Sequence, residues 1–161
     1  MPISHHKDEL PHWVSGAECR LNEFDIDVEG LSVGRIILNI LLIDHFGKVL
    51  SCREFCDLTL MDEEQYKRLV GKKRKGGFSE ANVLLRVSFG LGFSYEEALI
   101  LFWYNGIPAQ SRAYDPLNKI LFRLDDIVNW SAEKRLDELE RCCEEYGYKL
   151  RERKMTKGIR R

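Results

Sequence analysis

Seven times along this chain a residue that favours helix caps stands just ahead of apolar residues spaced by three and four. The seven are Ser32, Ser51, Asp62, Ser79, Ser94, Asp115 and Ser131. Such side chains accept hydrogen bonds from the otherwise unpaired first amides of a helix. Three of them carry Glu or Gln three residues later, namely Ser51 with Glu54, Asp62 with Gln65 and Ser94 with Glu97, which is the capping-box spacing. Alternating β-branched runs are scarce, so the pattern predicts an all-α bundle of six to seven helices.

The apolar positions say how those helices pack. After Ser32, the residues Val33, Ile36, Ile37, Ile40, Leu41 and Ile43 cover most of a helix circumference until Gly47, which places that helix at the centre of the bundle. After Ser79 the buried set is Val83, Leu84 and Val87. After Ser94 it is Ala98, Leu99, Leu101, Phe102 and Trp103, up to Gly106 and Pro108. Asp115 is expected to cap, and Pro116 to open, a helix carrying Leu117, Ile120, Leu121 and Leu124. The last helix, from Ser131 to Gly147, bears the seam Ala132, Leu136, Leu139, Cys143 and Tyr146. A short helix is expected over 17–26, preceded by a loose polar arm.

Charge is segregated along the chain although its formal net value is −1. Residues 1–31 hold Lys7 and Arg20 against seven acidic side chains, whereas 149–161 hold seven basic ones against Glu152 alone. With no global field to attract a polyanion, nucleic-acid binding has to come from local patches. Neither a signal peptide nor a membrane span is expected, because the Met1 region lacks a charged start followed by an apolar run, and Ile36–Ile43 is too short and is interrupted by Asn39. Five cysteines at irregular spacing (Cys19, Cys52, Cys56, Cys142, Cys143) fit a reduced, cytoplasmic setting. Cys52 and Cys56 stand one helical turn apart, yet no paired Cys-x-x-Cys accompanies them, and they are read as small apolar residues rather than metal ligands.

The most informative stretch is 50–78. Two helix starts, at Ser51 and Asp62, lie eleven residues apart, followed by Gly71-Lys72-Lys73-Arg74-Lys75-Gly76-Gly77. Phe55, Cys56 and Leu58 form the buried face of the first helix, and Met61, Tyr66 and Leu69 that of the second. A basic, glycine-containing loop after such a pair places cations and backbone amides where phosphate oxygens could meet them.

Leu50, Ser51, Glu54, Phe55, Cys56 and the 71–75 loop together resemble the Cro/repressor-type (XRE-like) helix-turn-helix family. The similarity continues through Phe78–Val87 and through Leu91-Gly-Phe-Ser-Tyr-Glu-Glu-Ala98, and covers residues 32–102. It departs from the family at Leu60, where the turn usually carries glycine, and in the acidic character of Asp62, Glu63 and Glu64. The resemblance implies a lambda-repressor-like domain within the bundle and a DNA-binding transcriptional regulator acting as a dimer on duplex DNA. The residues it implies for DNA contact are Asp62, Glu63, Gln65, Lys67 and Arg68 on the recognition helix, and Lys72, Lys73, Arg74 and Lys75 on the loop.

The alternative expectation is a helical protein-interaction module, adaptor-like or antitoxin-like, that keeps the scaffold without binding DNA. Its surface would comprise Leu99, Phe102, Trp103, Leu136 and Leu139, whose apolar area is read as more than one small domain buries and predicts a homodimer or protein partner. The expected division is an acidic arm (1–30), a Cro/repressor-like domain (31–106), a helical extension (107–148) and a basic tail (149–161). No nucleophile elbow, glycine-rich phosphate motif or carboxylate–histidine cluster is present, so no catalytic residue, metal or cofactor is expected and the chain is not read as an enzyme.

Overall fold

The computed structural model describes residues 21, 23–24, 32–70 and 80–150, and within them every regular element is helical. Among the described residues the complete α-helices are seven: α1 (Val33–Phe46), α2 (Cys52–Thr59), α3 (Glu63–Val70), α4 (Ala81–Leu91), α5 (Tyr95–Trp103), α6 (Asp115–Leu121) and α7 (Ala132–Glu145). Two 3-10 turns, Arg112–Tyr114 and Phe122–Asp126, flank α6. The expected all-α bundle is therefore what the chain forms.

Most boundaries lie where the capping residues put them. Ser32 and Ser131 accept from the amides of Arg35 and Lys134, and complete capping boxes form at Ser51/Glu54 and Ser94/Glu97. Gly47 ends α1 in left-handed conformation. Two starts differ from expectation. Residue Glu80, without a side-chain cap, precedes α4, and Ser79 lies outside the described residues. Asp115 is the first residue of α6 instead of its cap, because the turn Arg112–Tyr114 runs directly into the helix, and its carboxylate instead pairs with Lys119 at 3.3 Å. The same helix stops at Leu121, so Leu124 belongs to the following 3-10 turn. Of the short helix expected over 17–26, Leu21 is fully buried and most of the remainder lies outside the described residues.

One continuous core joins α1 through α7. Phe55, Phe89, Phe93 and Phe102 are completely enclosed, each contributing roughly 2–3 kcal/mol relative to exposure. Residues of the expected helical extension, Leu117, Ile120, Leu139 and Cys142, sit in that same core with α1 and α4, so the described segments 32–70 and 80–150 share one interior.

Two charged side chains on α7 are part of that interior. The guanidinium of Arg135 donates to the carbonyls of Phe89 (2.6 Å), Gly90 (2.8 Å), Val128 (3.4 Å) and Trp130. At the end of α4 the amides of Gly92 and Phe93 both donate to Ser88, leaving Phe89 and Gly90 among the terminal carbonyls without helical partners. Arg135 supplies them, and its positive charge lies at the negative end of the helix dipole. Glu138, one turn further on, accepts from Arg123 Nε at 2.7 Å and Arg141 Nη2 at 2.6 Å. Arg123 also stands 5.5 Å over the Trp130 ring.

Those guanidiniums hold the Glu138 carboxyl down to about 2, against the opposing effect of burial. Because its folded value lies below the ordinary 4.5, the stabilisation is fully present above pH 4.5 and is lost as pH falls toward 2. We expect on the order of 2 kcal/mol to disappear across that window. Urea midpoints measured from pH 6 to pH 2 should fall accordingly, and Glu138→Gln should start lower and fall less steeply. A Glu138→Gln curve parallel to that of the parent would remove this role.

Candidate nucleic-acid interface

α2 and α3 are joined by only three residues, Leu60, Met61 and Asp62. Leu60 makes that link by taking left-handed backbone angles, φ 61° and ψ 32°, the single non-glycine to do so among the described residues. A side chain there costs about 1–2 kcal/mol. Leu60 offsets part of this by packing against the core, while the next residue, Met61, is completely buried. The departure from glycine noted in the sequence is thus accommodated by left-handed backbone at Leu60 itself.

α3 is seated by its inner face. The Tyr66 ring meets Phe55 edge-on at 5.2 Å, its hydroxyl donates to the Leu50 carbonyl at 3.0 Å, and Leu69 is buried beside them. Burial, with the neighbouring Cys52 and Cys56 thiols, pushes the Tyr66 phenol up, so it remains a neutral donor. With that side fixed, Glu63, Glu64, Lys67 and Arg68 are exposed on α3. They recur at steps of one and four, which is one continuous helical face.

The individual expectations divide as follows. Asp62 accepts from the Gln65 amide at 2.9 Å, so it caps α3 and is half-buried rather than presented. Glu63 pairs with Lys67 at 3.3 Å, partly neutralising each other on the surface. Gln65, expected among the outward residues, is turned inward: its side chain is half-buried, and Oε1 is closed to solvent without a hydrogen-bond partner among the described residues. Helix phase is the reason, since Gln65 follows directly on the exposed pair and precedes the anchored Tyr66. Lys67 and Arg68 are exposed as expected. Lys72, Lys73, Arg74 and Lys75 lie outside the described residues.

The second expected surface is not a surface. Leu99, Phe102, Leu136 and Leu139 are each 5% exposed or less within the single chain, and Trp103 is half-buried against the same core. Their area, which appeared excessive for one domain, is absorbed where α5 and α7 pack into the bundle. That removes the reason given for a dimer. Tyr146, at the end of the α7 seam, is instead exposed.

The residues that sequence reasoning missed are Arg135 and Glu138. They share the inward side of α7 with Leu139 and Cys142, at steps of three and four, but an apolar-only periodicity passes over charged positions. Among the described residues no cluster of three His, Cys, Asp or Glu side chains could hold a metal ion, and no helix is long and apolar enough to cross a membrane. The chain matches no protein-family model, no curated protein and no solved structure.

Proposed function

We propose that this protein binds double-stranded DNA through α2 and α3 in the manner of a Cro/repressor-type helix-turn-helix, and acts as a transcriptional regulator. The observation carrying this reading is the exposed face of α3, with Lys67 and Arg68 outward on a short helix locked from behind by Tyr66, Phe55 and Leu69. A recognition element needs that combination: a rigid seat and long hydrogen-bonding side chains on the free side. Asp62 does not count against it, because its carboxylate is engaged in capping. Glu63 and Glu64 are the residues that oppose phosphate, and Glu can also accept from a cytosine amino group. Reading of sequence therefore falls to Glu63, Glu64, Lys67 and Arg68, and phosphate contact to the 72–75 loop.

A salt titration on random duplex DNA tests this directly. Binding should weaken linearly in log–log form with added salt; replacing two of Lys72, Lys73, Arg74 and Lys75 by alanine should reduce the slope by about 2, whereas replacing Lys67 and Arg68 should alter preference among sequences. Glu63→Gln with Glu64→Gln should strengthen binding to random duplex and blur preference among sequences. If the parent fails to bind duplex at low salt, or if these substitutions leave its affinity unchanged, the DNA-binding reading fails. The charge-balanced face of α3 then becomes the surface of a protein-interaction module.

A further inference from the structure

Cys52 and Cys56 lie side by side on α2, their sulfurs 3.9 Å apart. Both are half-buried: near enough to solvent for a small ion to arrive, and shielded enough to keep one. Tyr66 of α3 closes the neighbourhood from the other side, close enough for both thiols to act on its phenol.

Two chemistries use such a pair, and geometry separates them. A disulfide requires the two Cβ atoms to be about 3.5–4.5 Å apart, whereas positions four apart on an α-helix hold them at about 5–6 Å. Closing that bond would distort α2, so the pair is not set up for oxidation. Chelation needs no such movement. Two thiolates about 2.3 Å from one metal at a tetrahedral angle are about 3.8 Å from each other, close to the spacing already present. A linear ion at similar bond lengths needs about 4.6 Å, within reach of small side-chain rotations.

We propose that Cys52 and Cys56 form a bidentate dithiolate site for a soft cation of low coordination number, copper(I) in class. Zinc would require more ligands, and among the described residues no third His, Cys, Asp or Glu completes a set with this pair. Soft thiolates favour copper(I), for which two sulfurs suffice. The exchange balances without redox chemistry: two S–H bonds break, two metal–sulfur bonds form, and two protons pass to solvent, leaving a complex of charge −1. Because two protons leave, loading is coupled to pH and affinity rises with it.

Anaerobic titration of the full chain with copper(I), in competition with bicinchoninate, tests the assignment. The parent should hold one ion more tightly than Cys52→Ser or Cys56→Ser, each of which should lose on the order of 100-fold, and Cys143→Ala should bind as the parent does. Circular dichroism verifies that each variant is folded. X-ray absorption on the one-equivalent complex should report two sulfur ligands. Unchanged binding in Cys52→Ser or Cys56→Ser, affinity independent of pH, or a preference for zinc(II) over copper(I) would each overturn the site. None of these readouts involves DNA, so the result stands apart from the reading of α3.

Discussion

Replacing Arg135 by methionine should lower unfolding free energy by about 3 kcal/mol and the melting temperature by roughly 10 °C. Hydrophobic replacement of a buried charge can be neutral when its partner is replaced as well. Here the partners are backbone carbonyls of Phe89, Gly90, Val128 and Trp130, which no side-chain substitution removes. Methionine would fill the space and leave acceptors without donors, each costing about 1–3 kcal/mol where water does not reach. Relief of the desolvation that lowers the arginine's own pKa returns part of this. Arg135→Lys should recover only a fraction, because a single ammonium does not span the planar set of oxygens that the guanidinium meets. Chemical denaturation of the three proteins measures the difference. A methionine variant within 0.5 kcal/mol of the parent, a margin typical of neutral surface changes, would show that the carbonyls find other donors.

The second large effect reverses the usual sign of a glycine-to-alanine change in a helix. In an exposed helix interior that change gains up to about 1 kcal/mol. At Gly90 a Cβ would come within 2.5 Å of the Leu58 carbonyl oxygen and 3.0 Å of the Thr59 Cα, both backbone atoms in the last turn of α2. Neither atom can rotate away, so α2 must move as a body. Gly90→Ala is expected to cost about 2 kcal/mol net. Because α2 carries α3 through the three-residue link at Leu60, the same variant should lose affinity for duplex DNA beyond what its fraction unfolded explains. Thermal unfolding and binding measured at a temperature where the variant is fully folded separate the two effects. A variant as stable as the parent would mean that α2 and α4 can separate without loss.

Much of this architecture was legible in advance because helix starts are written locally. Ser51 with Glu54, and Ser94 with Glu97, need only their own four residues to form a capping box, and both form it. Gly47 likewise needs only its own backbone freedom. What failed to transfer depended on residues distant in sequence. The apolar set Leu99, Phe102, Leu136 and Leu139 looked like surplus because nothing local indicates that α5 and α7 enter one interior. Gln65 looked presented because its phase is decided by Tyr66, whose hydroxyl is anchored sixteen residues upstream at Leu50. Arg135 stands out in no local pattern because its acceptors are on a different helix and in the preceding turn. In the candidate interface, Lys67 and Arg68, which the resemblance implied for DNA contact, are exposed.

The link from Arg135 to Phe89 spans 46 residues, and that distance has a consequence during synthesis. When α2, α3 and α4 have emerged from the ribosome, the last carbonyls of α4 still face water, and the side of α4 that will meet α7 is bare. At typical elongation rates of about 5–20 residues per second, several seconds pass before residue 135 is available. The segment proposed to meet DNA therefore completes its support only after α7 is made. A nascent chain arrested short of residue 135 should expose the apolar face of α4 to chaperones, and one extended past it should not.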